Sequence, residues 1–102
     1  MHKLSLLASA AMDVSEIMDQ LDQQREGLSD EFEYFLDVAF DLVCSNPFIY
    51  REIAPTLRKS RMYRFNYAIY FEVVNDEVHV LAVIHNASSE ERIERKLGQA
   101  RR

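Results

Sequence analysis

The hydrophobic positions of this chain change period part-way along, and the change divides it into a helical first half and a stranded second half. Lys3–Leu7 is a short apolar stretch that predicts a strand, after which Ser9 is placed to cap a helix. Val14, Ile17, Met18, Leu21 and Leu28 then recur at helical spacing with acids between them, and Gly27 reads as the stop. Ser29 reads as the cap of a second helix, with Asp30 and Glu31 in its favourable first turn. Phe32, Phe35, Leu36, Ala39, Leu42 and Val43 form one apolar stripe, which Asn46-Pro47 ends. Two amphipathic helices joined by so short a link predict an antiparallel helical hairpin.

From Leu57 the signal becomes that of strands. Leu57–Met62, Phe65–Val74 and Glu77–His85 are rich in β-branched and aromatic residues, and Asn75-Asp76 suits a two-residue turn between the last two. That turn sets a register. One face pairs Val73 with Val78, Phe71 with Val80, Ile69 with Ala82 and Tyr67 with Ile84, and being apolar it should carry the helical hairpin. The other pairs Glu72 with His79, Tyr70 with Leu81, Ala68 with Val83 and Asn66 with His85. It is more apolar than a free sheet surface, so a partner element or the chain's own tail should cover it. Ser88–Leu97 reads as a tail helix capped by Ser88 or Ser89, with Ile93 and Leu97 as its apolar anchors. The predicted order is β-α-α-β-β-β-α, an α+β domain spanning residues 1–102 with the helical hairpin packed on an antiparallel sheet and the C-terminal helix at about 88–98.

Composition narrows this picture. The chain has 102 residues, 48% of them hydrophobic and 28% charged, which suits one soluble domain with a real core. Apolar runs such as Leu81–Ile84 fall far short of a membrane span, and acids follow the N-terminal stretch too soon for a signal peptide. Cys44 is the sole cysteine, which excludes an internal disulfide and points to a reducing cytoplasm; its apolar neighbours predict a core position. No Gly-rich phosphate loop, metal-ligand spacing or cofactor motif is present.

The net charge of −5 is unevenly spread: residues 1–50 hold two cations and ten acids, whereas residues 51–102 hold ten cations and seven acids. Between Ile53 and Phe71 stand Arg58, Lys59, Arg61 and Arg64 with no acid among them. This cationic sheet edge is the expected working surface, suited to RNA phosphates, to acidic side chains of a protein partner, or to protecting an exposed strand from aggregation. Asp13, Glu16, Asp19 and Asp22, spaced by three, read as a solvated helix face. His79 opposite Glu72 reads as a cross-strand pair, and His2 is expected to lie outside the ordered structure.

The run Leu57-Arg58-Lys59-Ser60-Arg61-Met62-Tyr63-Arg64-Phe65-Asn66-Tyr67-Ala68-Ile69-Tyr70-Phe71-Glu72-Val73, the later Val78-His79-Val80-Leu81-Ala82-Val83-Ile84-His85, and Asn46-Pro47-Phe48 at the end of the second helix resemble the RelE/ParE toxin superfamily. The likeness covers nearly the whole chain and is most specific from Asn46 to His85. It implies a toxin of a two-gene toxin–antitoxin (plasmid stabilisation) module, held inactive by a cognate antitoxin and needing no cofactor. RelE-like members cut mRNA in the ribosomal A site; ParE-like members inhibit DNA gyrase. Were this chain a nuclease, His85, Arg64 and Arg61 would be its catalytic candidates, with Tyr63 or Tyr67 stacking on a base. As a binding protein it would use Arg58, Lys59, Arg61, Arg64, Tyr70 and Leu81. The family often has a small residue where Tyr63 stands, and arginines where Asn86-Ala87-Ser88-Ser89 follow His85. These departures, with the tail helix and the acidic balance, turn the reading toward a ParE-like growth inhibitor. The alternatives are a RelE-like endoribonuclease and a non-toxic binding partner that has lost its target.

Overall fold

A computed structural model of the chain describes residues 1–101. The elements are β1 (Lys3–Leu6), α1 (Ala8–Gln24), α2 (Leu28–Ser45), a 3-10 turn (Pro47–Ile49), β2 (Arg51–Ala54), β3 (Leu57–Arg61), β4 (Tyr67–Val74), β5 (Glu77–His85) and α3 (Glu90–Ala100). The five strands form one sheet in the order β1-β5-β4-β3-β2, with β1 parallel to β5 and the other neighbours antiparallel. The α+β architecture and helical hairpin are as the sequence predicts. The sheet is mixed rather than antiparallel throughout, and it has one strand more.

The additional strand is β2. Arg51-Glu52-Ile53-Ala54 has no alternating pattern, and Pro55 follows it, so nothing local marks it as a strand. It is set by the turn at Pro55-Thr56, where Thr56 takes φ +64°, and by a bulged ladder onto β3. The open sheet edge is therefore β2, not β3.

The hairpin of α1 and α2 packs on one sheet face through Ile17, Leu21, Phe32, Leu36, Val43, Ile69, Phe71 and Val80, all buried. Gly27, at φ +87°, turns the chain between the helices and stands at the N-cap of α2. Ser29 lies inside the first turn rather than capping it. Its hydroxyl and N–H both donate to the Asp22 carboxylate, at 2.6 and 3.0 Å, and so lock the turn. Leu42 departs from the predicted stripe and is exposed, whereas Cys44 is buried as expected and its thiol pKa is raised, chiefly by that burial.

The predicted register holds from Val74–Glu77 to Phe71–Val80 and then slips by one residue. A bulge at Leu81 places Leu81 and Ala82 on the same face, so Val83 turns to the hairpin while Ala82 and Ile84 turn to α3. The expected pairing of Asn66 with His85 is lost; His85 lies opposite Tyr67, and Asn86 bonds Asn66 instead. The reason lies at the sheet margin. β1 ends opposite Val80, which leaves the outer side of β5 unpaired beyond it. Two α1 side chains one turn apart complete that margin: Ser9 Oγ donates to the Leu81 carbonyl at 2.8 Å, and the Val83 N–H donates to Asp13 at 3.1 Å. Ser9 is thus a ligand of the bulge and not a cap, and the N-cap of α1 is Leu7.

β4 also starts later than predicted, at Tyr67. Phe65 takes φ +70°, an uncommon conformation for an aromatic residue, and the Met62 N–H closes the loop on the Tyr67 carbonyl. Phe65 is held there by edge contacts to Phe32 with ring centroids 5.5 Å apart. His2, expected outside the ordered structure, donates its N–H to the Cys44 carbonyl and meets Phe48 edge-on.

The second sheet face is covered by α3. Ser89 caps it, accepting from the Arg92 N–H at 3.1 Å, and Leu97 and Ile93 dock on Tyr70, Leu81 and Ile84. Two ion pairs clamp it, Lys96–Asp13 at 2.7 Å and Arg101–Glu72 at 2.8 Å. His79 lies opposite Glu72 in the ladder, as expected, although the Glu72 carboxylate is taken up by Arg101 and Thr56 and the His79 ring contacts Glu77. No helix is long and apolar enough to cross a membrane.

Candidate functional site

The cationic segment divides by strand alternation. Arg58 points to the hairpin face and is engaged: its guanidinium donates to the Tyr50 carbonyl at 2.7 Å, pairs with Glu52 at 3.3 Å and lies over the Phe48 ring. That fork fixes the path of the chain into β2, so Arg58 holds the edge together. Arg64, beyond the strand, lies over Phe35 and Phe65 and pairs with Glu31 at 3.6 Å. Glu31 also holds Arg25, which is the main reason its carboxyl lies below the usual range; burial opposes the shift.

Lys59 and Arg61 share the other face. Arg51 of β2 stands directly opposite Lys59 in the ladder, and Arg61 is two residues farther along β3. Among the described residues none of these three cations has an acidic partner within 4 Å. Burial, and then the charges of Arg61 and Arg51, hold the Lys59 pKa below its ordinary value. Its Nζ lies 5.6 Å from the centre of the Tyr70 ring. Sequence reasoning missed Arg51, because its membership depends on the unforeseen β2 ladder.

The other sequence candidates disperse. Tyr70 and Leu81 are 2% and 1% exposed beneath α3, so their apolar surface is occupied by the chain's own tail. Burial raises the pKa of both Tyr67 and Tyr70; at Tyr70 the charge of Arg61 partly offsets the shift. His85 faces α1 and α3, in a small depression with Gln20, Glu16, Ser88 and Arg92. Its ring meets Tyr67 edge-on, with centroids 5.0 Å apart. Its Nδ1 accepts the Ala87 N–H at 3.0 Å, so the neutral ring carries its proton on Nε2. Arg61, at the end of β3, borders both the depression it shares with Lys59 and Arg51 and an apolar groove between α2 and β3, and Arg64 lies against Glu31; neither lines the His85 depression.

That apolar groove was not foreseen. Phe35, Val38 and Leu42 line one wall, and Tyr50 and Tyr63 the other. Tyr63 is 92% exposed, Leu42 is exposed across the groove, and exposed Tyr34 joins them through its edge contact with Phe35. A run of exposed large apolar side chains beside Arg61 and Arg64 is the composition of a protein-docking surface. The acids read as a solvated helix face are also partly internal: Asp13 is buried in its bonds to Lys96 and Val83, and Asp22 holds Ser29.

No family model matches the chain, and no curated protein matches it. Solved structures do. A chain of the structure described as "Chromosomal ParDE TA system from P. aeruginosa" superposes with a TM-score of 0.74 at 16% identity, over 83% of this chain and 96% of that one. At that identity the likeness speaks for architecture alone, and the architecture of this chain is a RelE/ParE-like fold.

Proposed function

We propose that this chain is the toxin of a type II toxin–antitoxin module, a ParE-like growth inhibitor that acts on DNA gyrase in the cytoplasm and is neutralised by a cognate antitoxin. The observation that carries the reading is the apolar groove between α2 and β3 in a chain of this fold. Exposed Leu42 and Tyr63 stand beside the cations Arg61 and Arg64, an arrangement suited to an amphipathic segment with an acidic flank. Groove residues and the edge cations Arg58, Lys59, Arg61 and Arg64 are the proposed antitoxin and target contacts.

The geometry at His85 favours inhibition by binding over RNA cleavage. A general base needs a free ring nitrogen, and here Nδ1 is occupied by the Ala87 N–H while Nε2 carries the proton. Cleavage through a 2′-hydroxyl also needs a cation at the phosphorane; the expected Arg61 and Arg64 stand elsewhere, and the cation in the His85 depression is Arg92 of α3, beside Glu16. The test is growth on induction of the chain alone and together with the small gene beside it, followed by supercoiling assays with purified gyrase. Arrest relieved by the neighbour, with gyrase inhibition lost in Leu42→Glu/Tyr63→Glu, is the expected result. Ribosome-dependent mRNA cleavage abolished by His85→Ala would assign the chain to the RelE-like nucleases instead. Absence of arrest would assign it to binding partners without toxicity.

A further inference from the structure

A second groove runs along the opposite sheet face, between the β2–β3 edge and α3. It encloses about 510 Å³, within the range of small-ligand sites. Its sheet-side wall is cationic: Lys59 lines it, and Lys59 and Ile53 also line the adjoining depression that Arg51 and Arg61 complete. Its helix-side wall carries Glu90 and Glu94, with Arg101 at the C-terminal end of α3. Between the walls the lining is aliphatic, from Ile53, Leu57, Ile93 and Leu97. Arg101 ties α3 to the sheet through Glu72, but among the described residues no ion pair joins Arg51, Lys59 or Arg61 to Glu90 or Glu94, so these opposite charges stand apart across an apolar floor.

Two features oppose stability and call for another explanation. Arg51 stands directly across from Lys59, with Arg61 beside them, and like charges placed so destabilise a ladder. Gly98 lies within α3, where glycine disfavours the helix, and a Cβ there would meet nothing within 4 Å. The absent side chain leaves the groove open at its α3 wall.

We propose that this groove binds a nucleoside di- or triphosphate, with the phosphates on Arg51, Lys59 and Arg61 and the base on the aliphatic floor. Hydrogen-bond donors of the ribose or base then meet the carboxylates of Glu90 and Glu94. The three cations lie on neighbouring strands and about 7 Å apart along β3, the reach of one polyphosphate. A nucleic-acid path would need that charge to continue. Here the next cations, Arg58, Arg64 and Arg101, are paired with Glu52, Glu31 and Glu72, and Glu90 and Glu94 repel further phosphates.

The test is calorimetry of the full chain at low salt with ATP, ADP, GTP, adenosine, pyrophosphate and a short uridine oligonucleotide. Saturable binding of a nucleotide is expected, at least tenfold tighter than adenosine or pyrophosphate. Arg51→Glu/Lys59→Glu should weaken it by tenfold or more. Gly98→Met, which fills the groove and favours the helix, should do the same while raising the melting temperature, and it decides the matter if the double variant fails to fold. No saturable nucleotide binding, equal affinity for pyrophosphate, tighter binding of the oligonucleotide, or undiminished affinity in folded Gly98→Met would each overturn the proposal.

Discussion

The two faces of the sheet are covered by different physics. The hairpin face is closed by side chains such as Phe32, Leu36, Ile69 and Phe71, which are close to fully buried and held together by apolar contact. The opposite face is closed by one helix with a single buried apolar residue of its own, Leu97, and with two ion pairs to Asp13 and Glu72. The first cover is core. The second is a strap, with few apolar contacts and charged fasteners, the kind of element that opens locally at lower free energy than the whole domain. Both exposed grooves border this contrast: the α2–β3 groove lies at the margin of the core cover, and the β2–β3/α3 groove lies under the margin of the strap.

The contrast is broken most severely from the core side. Phe32→Ala should destabilise the fold by about 3–5 kcal/mol in denaturant titration, since Phe32 is fully buried and contacts both Phe65 and Tyr67. A loss below about 1 kcal/mol would mean that the hairpin layer can collapse around the gap, contrary to its close packing.

Asp13→Ala touches both layers. It removes the acceptor of the Val83 N–H and the partner of Lys96 together, and a loss of about 2–3 kcal/mol is expected. Amide exchange should accelerate first in α3 and at Val83. Uniform acceleration across α1, α2 and β4 would show that α3 is not a separate unit.

The smallest effect is the acid limb of the helical turn. Asp22's carboxyl is held below its ordinary value of 3.8, first by the Ser29 hydroxyl, then by the Ser29 N–H; burial opposes this, and the Gly27 N–H adds to it. A depressed carboxylate contributes stability that is complete above its unfolded pKa and is lost as pH falls through the folded value. Melting temperature should therefore decline below about pH 4, and Asp22→Asn should flatten that decline, because the amide keeps an acceptor but has no proton to gain. An unchanged acid limb would assign it to Glu31, which Arg25 depresses in the same sense.

Much of the fold could be read along the chain because its causes are local. The stripe from Phe32 to Val43, the stop at Asn46-Pro47, the turn at Asn75-Asp76 and the cap at Ser89 each depend on a few neighbouring residues. The candidate site was legible only in part. Lys59 and Arg61 could be named only together with Arg58 and Arg64; which of the four stay unpaired, and their companion Arg51, depend on where β2, Phe48 and Glu31 come to lie.

The sequence by itself therefore determined the helical hairpin, the two long strands, the tail helix and the segregation of acids from bases, because periodicity, turn chemistry and charge act over a few residues. Only the tertiary structure decided the Leu81 bulge, the side to which His85 turns, and the use of Ser9 and Asp13 as ligands of β5. The physical reason is one of accounting for backbone polar groups. β1 is four residues long and stops opposite Val80, so the donors and acceptors beyond it had to be met from α1. No local pattern in β5 records where a strand distant in sequence will end.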